Sequence, residues 1–107
     1  MADSGFIEVA QVSELRPGEM MAVTIGDDQV LLTNIDGSFH AIDDVCSHAY
    51  ACLSDGDLNG EEAECPLHGG SFSAITGMPI NPPAEESLRV FVVKVEGDAI
   101  FVAPPGN

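Results

Sequence analysis

Two cysteines and two histidines are the residues of this sequence best suited to bind a metal. Cys46-Ser47-His48 and Cys65-Pro66-Leu67-His68 repeat the order thiol then imidazole, and 16 residues separate His48 from Cys65. A single close Cys and His pair is weak evidence for a metal site. Two such pairs, each in a loop-like stretch and separated by enough chain for a hairpin, strongly indicate metal ligation.

These ligand types fit two kinds of metal centre. An iron-sulfur cluster needs thiolates that stabilise ferric iron, and two histidines on one iron with two cysteines on the other is the Rieske arrangement. Such a site is formally uncharged when oxidised, whereas four thiolates make it dianionic, so its reduction potential is higher. The alternative is a structural Cys2His2 zinc module, although zinc fingers usually order two cysteines before two histidines and here the types alternate.

The spacing resembles the signature of Rieske proteins. The second box as it stands here, Cys65-Pro66-Leu67-His68-Gly69-Gly70-Ser71-Phe72, is very close to that of the family, and Leu53-Ser54-Asp55-Gly56 and Thr76-Gly77 also match. The similarity runs through nearly the whole chain. At 107 residues, without an oxygenase domain or a membrane anchor, the sequence is similar to the free-standing ferredoxins of bacterial aromatic ring-hydroxylating dioxygenase systems.

The resemblance implies one Rieske-type 2Fe-2S cluster, with Cys46 and Cys65 on one iron and His48 and His68 on the other. It implies an all-β fold of three stacked antiparallel sheets, with a cluster-binding lobe, approximately residues 43–83, inserted into a base lobe. We expect residues 1–107 to form this single domain. The implied function is that of an electron carrier, not an enzyme, between a flavin-containing reductase and a terminal oxygenase. A Rieske subunit that serves a different reductase or oxidase has the same ligands, so that alternative stays open.

Three positions differ from the Rieske proteins of respiratory complexes. In those proteins a disulfide joins the two cluster loops, but Leu67 lies where the second cysteine would fall, so we expect Cys52 to be a small buried apolar residue. Those proteins also donate serine and tyrosine hydroxyls to the cluster sulfurs, whereas Gly70 and Phe72 occupy the matching positions. We therefore predict a midpoint potential at the low end of the Rieske range, on the order of -150 mV.

Other residues near the boxes have both structural and functional interpretations. Gly69 and Gly70 let the backbone approach the sulfur atoms closely, or they form an ordinary turn. The prolines between 79 and 83 resemble the segment that covers the cluster in the family, or they form a rigid surface connection. His40 is interpreted as a surface or half-buried strand residue outside the metal site.

Short strands must position the two boxes. β-branched and apolar runs bounded by turn residues predict strands at 20–25, 30–35, 39–42, 88–95 and 99–102, with another around Phe72. Asp36-Gly37 is a hairpin signal, and residues 43–70 lose all periodicity and are predicted as a long functional loop region. No helical periodicity persists for three turns, so the predicted fold class is all-β.

Charge and composition restrict the partners. The chain has 18 Asp and Glu against three Lys and Arg, for a formal charge of -15. So few cations cannot bind nucleic acid or an anionic membrane. Eight of the acids lie between Asp36 and His68, where there is no Lys or Arg. Such acidity fits simple solubility as well as steering toward a cationic partner protein, and steering is the hypothesis to test. The odd number of cysteines and the absence of a leader or membrane-spanning run predict a cytoplasmic protein, which we expect to be a monomer.

Overall fold

The computed structural model describes residues 5–45, 52–66, 70–81 and 87–104. Cys46, His48, Tyr50 and His68 lie outside these ranges. The described residues form ten strands and two single-turn 3-10 helices, Val12–Glu14 and Leu53–Asp55. The strands are β1 (Ile7–Gln11), β2 (Met20–Ile25), β3 (Asp28–Ile35), β4 (Ser38–Asp43), β5 (Asp57–Asn59), β6 (Glu62–Glu64), β7 (Ser71–Ser73), β8 (Pro79–Asn81), β9 (Val90–Glu96) and β10 (Ala99–Ala103).

Six of the strands form one antiparallel sheet, in the order β1-β10-β9-β4-β3-β2. The strands β9 and β4 pair only through Ala41 with Phe91 and Ile42 with Val90. This short junction joins two three-stranded halves, and the outer strands β1 and β2 approach each other across the fold. The six strands therefore curl around a shared interior and make up the base lobe.

The remaining four strands form a second antiparallel sheet, in the order β5-β6-β7-β8. Together with the two halves of the first sheet, this gives the three antiparallel sheets that the resemblance implied. Strands β5 and β6 were predicted as loop, and that prediction is wrong. Each has only three residues and its central side chain, Leu58 or Ala63, is the only apolar one, so no periodicity could mark them.

The strand β3 is buried on both faces and separates two hydrophobic cores. Val30 and Leu32 face the interior of the base lobe, with Phe91, Ile100 and others. Leu31, between them in the chain, belongs to the second core. That second core consists of Leu31, Ile42, Leu53, Ala63, Cys65, Phe72 and Leu88. Since side chains alternate along a strand, one run of apolar residues fills both cores.

The hairpin between β3 and β4 forms as the sequence predicts. Asp36 and Gly37 have φ values of 53° and 94°, the left-handed conformation that both central residues of a type I′ turn require. The turn fixes the register in which Asn34 pairs with Phe39 and Leu31 with Ile42. Through this register Ile42, near the end of β4, enters the second core. In the described part of the chain, no helix has the length and apolar character needed to cross a membrane.

Candidate metal centre

Cys65 is the one predicted ligand among the described residues, and it lies directly after β6. The side chain is 3% exposed and packs in the second core with Ala63 and Phe72. Its backbone N–H donates to the carbonyl of Gly70 at 2.7 Å. This hydrogen bond closes the segment between β6 and β7, which carries His68, at its base.

The first predicted box lies in a segment that is closed in the same way. Val45 and Cys52 form an isolated antiparallel bridge, and the N–H of Leu53 donates to the carbonyl of Asp44 at 2.6 Å. Residues 46–51, with Cys46 and His48, therefore leave and rejoin the described structure at neighbouring points. We call residues 46–51 the first ligand loop and residues 66–69 the second ligand loop.

The bases of the two ligand loops lie against each other. Leu53, just after the first loop, shares the second core with Cys65. A Cβ atom added at Gly56 would lie 1.9 Å from the carbonyl oxygen of Glu64 and 3.2 Å from Cδ of Pro66, so only a glycine permits this approach. Two short loops that start side by side can bring their ligands to one metal centre.

Asp44 connects the first ligand loop to the base lobe. Its carboxylate is fully buried and accepts hydrogen bonds from the N–H of Ser54 at 2.7 Å and the hydroxyl of Ser54 at 2.8 Å. The side-chain amide of Gln29, at the start of β3, donates to the same carboxylate. Sequence reasoning missed this residue and counted it only among the acids, since an aspartate after a strand usually lies at the surface.

A second polar network joins the strands β6, β7 and β8. The fully buried Ser71 donates its hydroxyl to Glu62, and the amide of Asn81 donates to Glu62 at 2.6 Å and to Ser71 at 2.9 Å. These three side chains tie β6, β7 and β8 together. Asn81 directly precedes Pro82 and Pro83, which lie outside the described residues, so the expectation that these two prolines cover the cluster stays untested.

The structure also describes His40 and Cys52, which the sequence singled out. His40 is half-buried in β4 opposite Thr33, as predicted. Cys52 was predicted to be a buried apolar residue, and this is wrong: it is half-buried at the bridge to Val45, and its sulfur lies 3.2 Å from the amide nitrogen of Gln29. The bridge leaves Cys52 at the edge of the fold, where its thiol accepts a hydrogen bond.

In the described part of the chain the cations lie in the base lobe, together with many acids. Arg89, directly before β9, forms ion pairs with Asp43 at 2.7 Å and Asp28 at 3.1 Å. The hydrogen bonds from Arg89 to Asp43 and then to Asp28 raise the pKa of the guanidinium well above its ordinary value. Lys94 pairs with Glu96 and lies 4.6 Å from the ring centre of Phe6. In the described part of the four-stranded sheet there is no cation, and Asp57 and Glu61 are exposed.

The residues present fit an iron-sulfur cluster. Thiolates and imidazoles are the ligands of a Rieske centre, and the buried Cys65 lies where a cluster would be shielded from water on its inner side. The backing by Phe72 and Leu53 supplies the apolar surroundings that limit solvent access to such a centre.

Comparison with known proteins identifies relatives over nearly the full chain. The profile of the Rieske 2Fe-2S domain matches residues 5–95. The ferredoxin component of biphenyl 2,3-dioxygenase from Rhodococcus jostii (strain RHA1) is 41% identical over 100 residues, which cover 94% of each protein.

Solved structures agree with the sequence comparison. The ferredoxin of carbazole 1,9a-dioxygenase from Nocardioides aromaticivorans IC177 superposes with a TM-score of 0.90 at 39% identity, over 94% of this chain and 99% of that one. A chain from a complex of reduced oxygenase and oxidized ferredoxin in carbazole 1,9a-dioxygenase gives a TM-score of 0.89 at 35% identity, over 94% of each chain. The all-β fold class predicted from the strand pattern, and the Rieske fold that the family resemblance implied, are confirmed.

Proposed function

Because the chain belongs to the Rieske 2Fe-2S family, we propose that it is the ferredoxin of a multicomponent aromatic ring-hydroxylating dioxygenase. In this role it moves single electrons from a flavin-containing reductase to the terminal oxygenase. The observation that carries the proposal is the match, over 94% of each chain, to a chain from a complex of oxygenase and ferredoxin.

The family determines the cofactor, which is one Rieske-type 2Fe-2S cluster. When bound, it takes up and releases one electron near the low end of the Rieske potential range. The zinc module considered as an alternative does not agree with this membership. The average g value of the reduced protein in electron paramagnetic resonance separates mixed His and Cys ligation from four-Cys ligation, and a colourless preparation without iron or sulfide would contradict the cluster.

We propose that Cys46, His48, Cys65 and His68 are the four ligands. The hydrogen-bonded bases of the two ligand loops and the buried position of Cys65 support this set. The variant Cys65→Ser should purify without the visible absorption of the cluster. Cys52→Ser is the matched control, because Cys52 is also a described free cysteine but lies outside the loops, and it should keep full iron and sulfide content.

The domain arrangement follows from the same reasoning. We propose that residues 1–107 form a single domain with its cluster-binding lobe at approximately 43–83. The position of strands β5 to β8 between β4 and β9 in the chain supports an inserted lobe.

The proposed role requires no substrate pocket, and we propose that the protein is not an enzyme on its own. Its partners are the reductase and the terminal oxygenase, which it must reach and leave in turn, so a monomer suits it. We place it in the cytoplasm, where thiols stay reduced. A reconstitution that combines purified reductase, this protein and oxygenase tests the role: hydroxylated product should form only when all three are present.

A different client would keep the same fold and ligands. A Rieske subunit that serves another reductase or oxidase is tested in the same experiment by exchanging the acceptor. If this protein reduced such an alternative acceptor faster than a dioxygenase, the proposed role would be contradicted. The cluster assignment would remain intact.

A further inference from the structure

We propose that Asp44 is a positioning residue for the cluster: it holds the base of the first ligand loop closed and so sets the position of that loop relative to Cys65. The inference rests on the proposed ligand set, since Asp44 precedes Cys46 by two positions and does not itself touch the cluster in this assignment. It goes further by assigning a role to a residue outside the Cys and His boxes.

The carboxylate of Asp44 joins both ends of the first ligand loop. Asp44 lies on the side where the chain enters the loop, and Ser54, which donates two hydrogen bonds to it at 2.7 and 2.8 Å, lies on the side where the chain leaves. The backbone repeats the connection, because the carbonyl of Asp44 accepts from the N–H of Leu53 at 2.6 Å. A single residue thus closes the loop through its main chain and its side chain.

The same carboxylate fixes the closed loop to the base lobe. The amide of Gln29 donates to it, and the N–H of Asp44 donates to the carbonyl of Gln29 at 3.0 Å. The side-chain amide of Gln29 also donates to the sulfur of Cys52 at 3.2 Å, and Cys52 is the first residue after the loop. Gln29 belongs to β3, the most buried strand of the base lobe, so the loop is attached to a rigid element.

The burial of Asp44 distinguishes this network from a surface contact. The residue is 0% exposed, and a buried carboxylate is tolerated only where donors replace the water it has lost. Three donors do so here. An aspartate accepts all three, whereas an asparagine has one accepting oxygen and would direct its own NH2 group at one or more of these donors. The site is therefore built for a carboxylate.

The test compares Asp44→Asn with Asp55→Asn in the protein loaded with its cluster. Asp55 lies in the turn directly after the loop and is exposed, and its side chain makes no hydrogen bond to any described residue, so this control removes the same charge and leaves the loop closed. We expect the cluster of Asp44→Asn to be lost to a chelator about ten times faster than that of Asp55→Asn. The g values of the reduced cluster should shift in Asp44→Asn only.

Two outcomes would overturn the proposal. Equal rates of cluster loss with unchanged g values in Asp44→Asn would do so, even if its melting temperature fell, because a purely structural residue changes stability alone. If Asp44→Asn does not fold, Gln29→Ala and Ser54→Ala take its place, since each removes one donor and Gln29 is exposed. Wild-type rates and g values in both would equally overturn it.

The proposed function fails in a different way. If the wild-type protein contains no iron and sulfide, or shows the average g value of four-Cys ligation, the ligand set is wrong. If the wild type has a Rieske spectrum and Asp44→Asn matches Asp55→Asn, the ligand set stands and only the role of Asp44 is lost.

Discussion

Arg89 and Asp43 hold each other through both main chain and side chain. The guanidinium of Arg89 contacts the carboxylate of Asp43 at 2.7 and 3.1 Å, and the N–H of Arg89 donates to the same carboxylate at 2.8 Å. The N–H of Asp43 in turn donates to the carbonyl of Arg89 at 3.1 Å. Asp43 ends β4 just before the first ligand loop, and Arg89 begins the return to β9, so the pair lies where the chain leaves and re-enters the base lobe.

Arg89→Lys should lower the free energy of unfolding. A lysine cannot reproduce the forked contact with Asp43, but the arginine side chain is 53% exposed, so solvent screening limits the loss to about 1 kcal/mol. Urea unfolding followed by circular dichroism measures the change. Arg16→Lys is the control, because Arg16 is exposed and forms no ion pair to any described residue, and an equal effect of both variants would contradict the role of the pair.

The contribution of the same ion pair to stability should not change with pH up to moderately alkaline values. Folding raises the pKa of Arg89 above its value in the unfolded chain, which already lies well above neutral pH. A cation whose pKa is raised on folding stabilises fully below its unfolded pKa and loses this contribution only as pH rises through the folded value. The difference in unfolding free energy between wild type and Arg89→Lys should therefore stay constant from about pH 7 to about pH 9. A difference that shrinks over this interval would show that another group controls the contact.

Gly56→Ala should be far more damaging than Gly60→Ala. A Cβ on residue 56 would meet the backbone oxygen of Glu64 at 1.9 Å, so β6 must move at a cost of about 3 kcal/mol. Gly60 has a φ of +62° and open space around it, so alanine there costs only about 1 kcal/mol of backbone strain. Thermal unfolding compares the two. Similar losses in both variants would mean that the loop bases are less tightly packed than the structure shows.

Phe72→Tyr should raise the midpoint potential. The wild-type value is expected on the order of -150 mV, and Phe72 is fully buried in the same core as Cys65. A hydroxyl that donates to the reduced centre contributes about 1 kcal/mol, equivalent to about 40 mV for one electron. Phe39→Tyr, which adds a hydroxyl in the base lobe, should leave the midpoint potential measured by redox titration unchanged. A wild-type midpoint above zero would contradict the expected low potential.

Electron transfer to the oxygenase should slow as salt is added. The net charge of -15 and the exposed acids of the four-stranded sheet favour steering to a cationic site on the partner, which added ions screen. Stopped-flow rates are expected to fall by about tenfold between low and high salt. Asp57→Asn should reduce this dependence more than Asp98→Asn, whose residue lies in the far turn of the base lobe, and a rate that is flat with salt would refute steering.

The sequence predicts the base lobe well because its strands are long enough to show a pattern. The runs around Val23, Leu31 and Phe91 alternate or stay apolar over six to eight residues. The three-residue strands with Leu58 and Ala63 at their centres carry too few apolar residues for any period to appear.

Residue type and spacing were enough to predict the two ligand boxes. They did not reveal the side chains that hydrogen-bond to the chain beside the boxes. Asp44 resembles the other acids of its stretch until the structure shows it fully buried. The contact of Arg89 with Asp43 spans 46 positions, and a single sequence gives no sign of such a distant pair. Contacts of this kind depend on which distant segments pair in the fold, and local pattern does not encode that pairing.

The burial of β3 on both faces makes the two cores depend on one strand. Leu31 and Leu32 are adjacent in the chain, yet they pack into separate interiors. Because β3 contributes side chains to both hydrophobic cores, it cannot leave one core without leaving the other. The second core, which includes Cys65, therefore depends on β3 remaining folded in the base lobe.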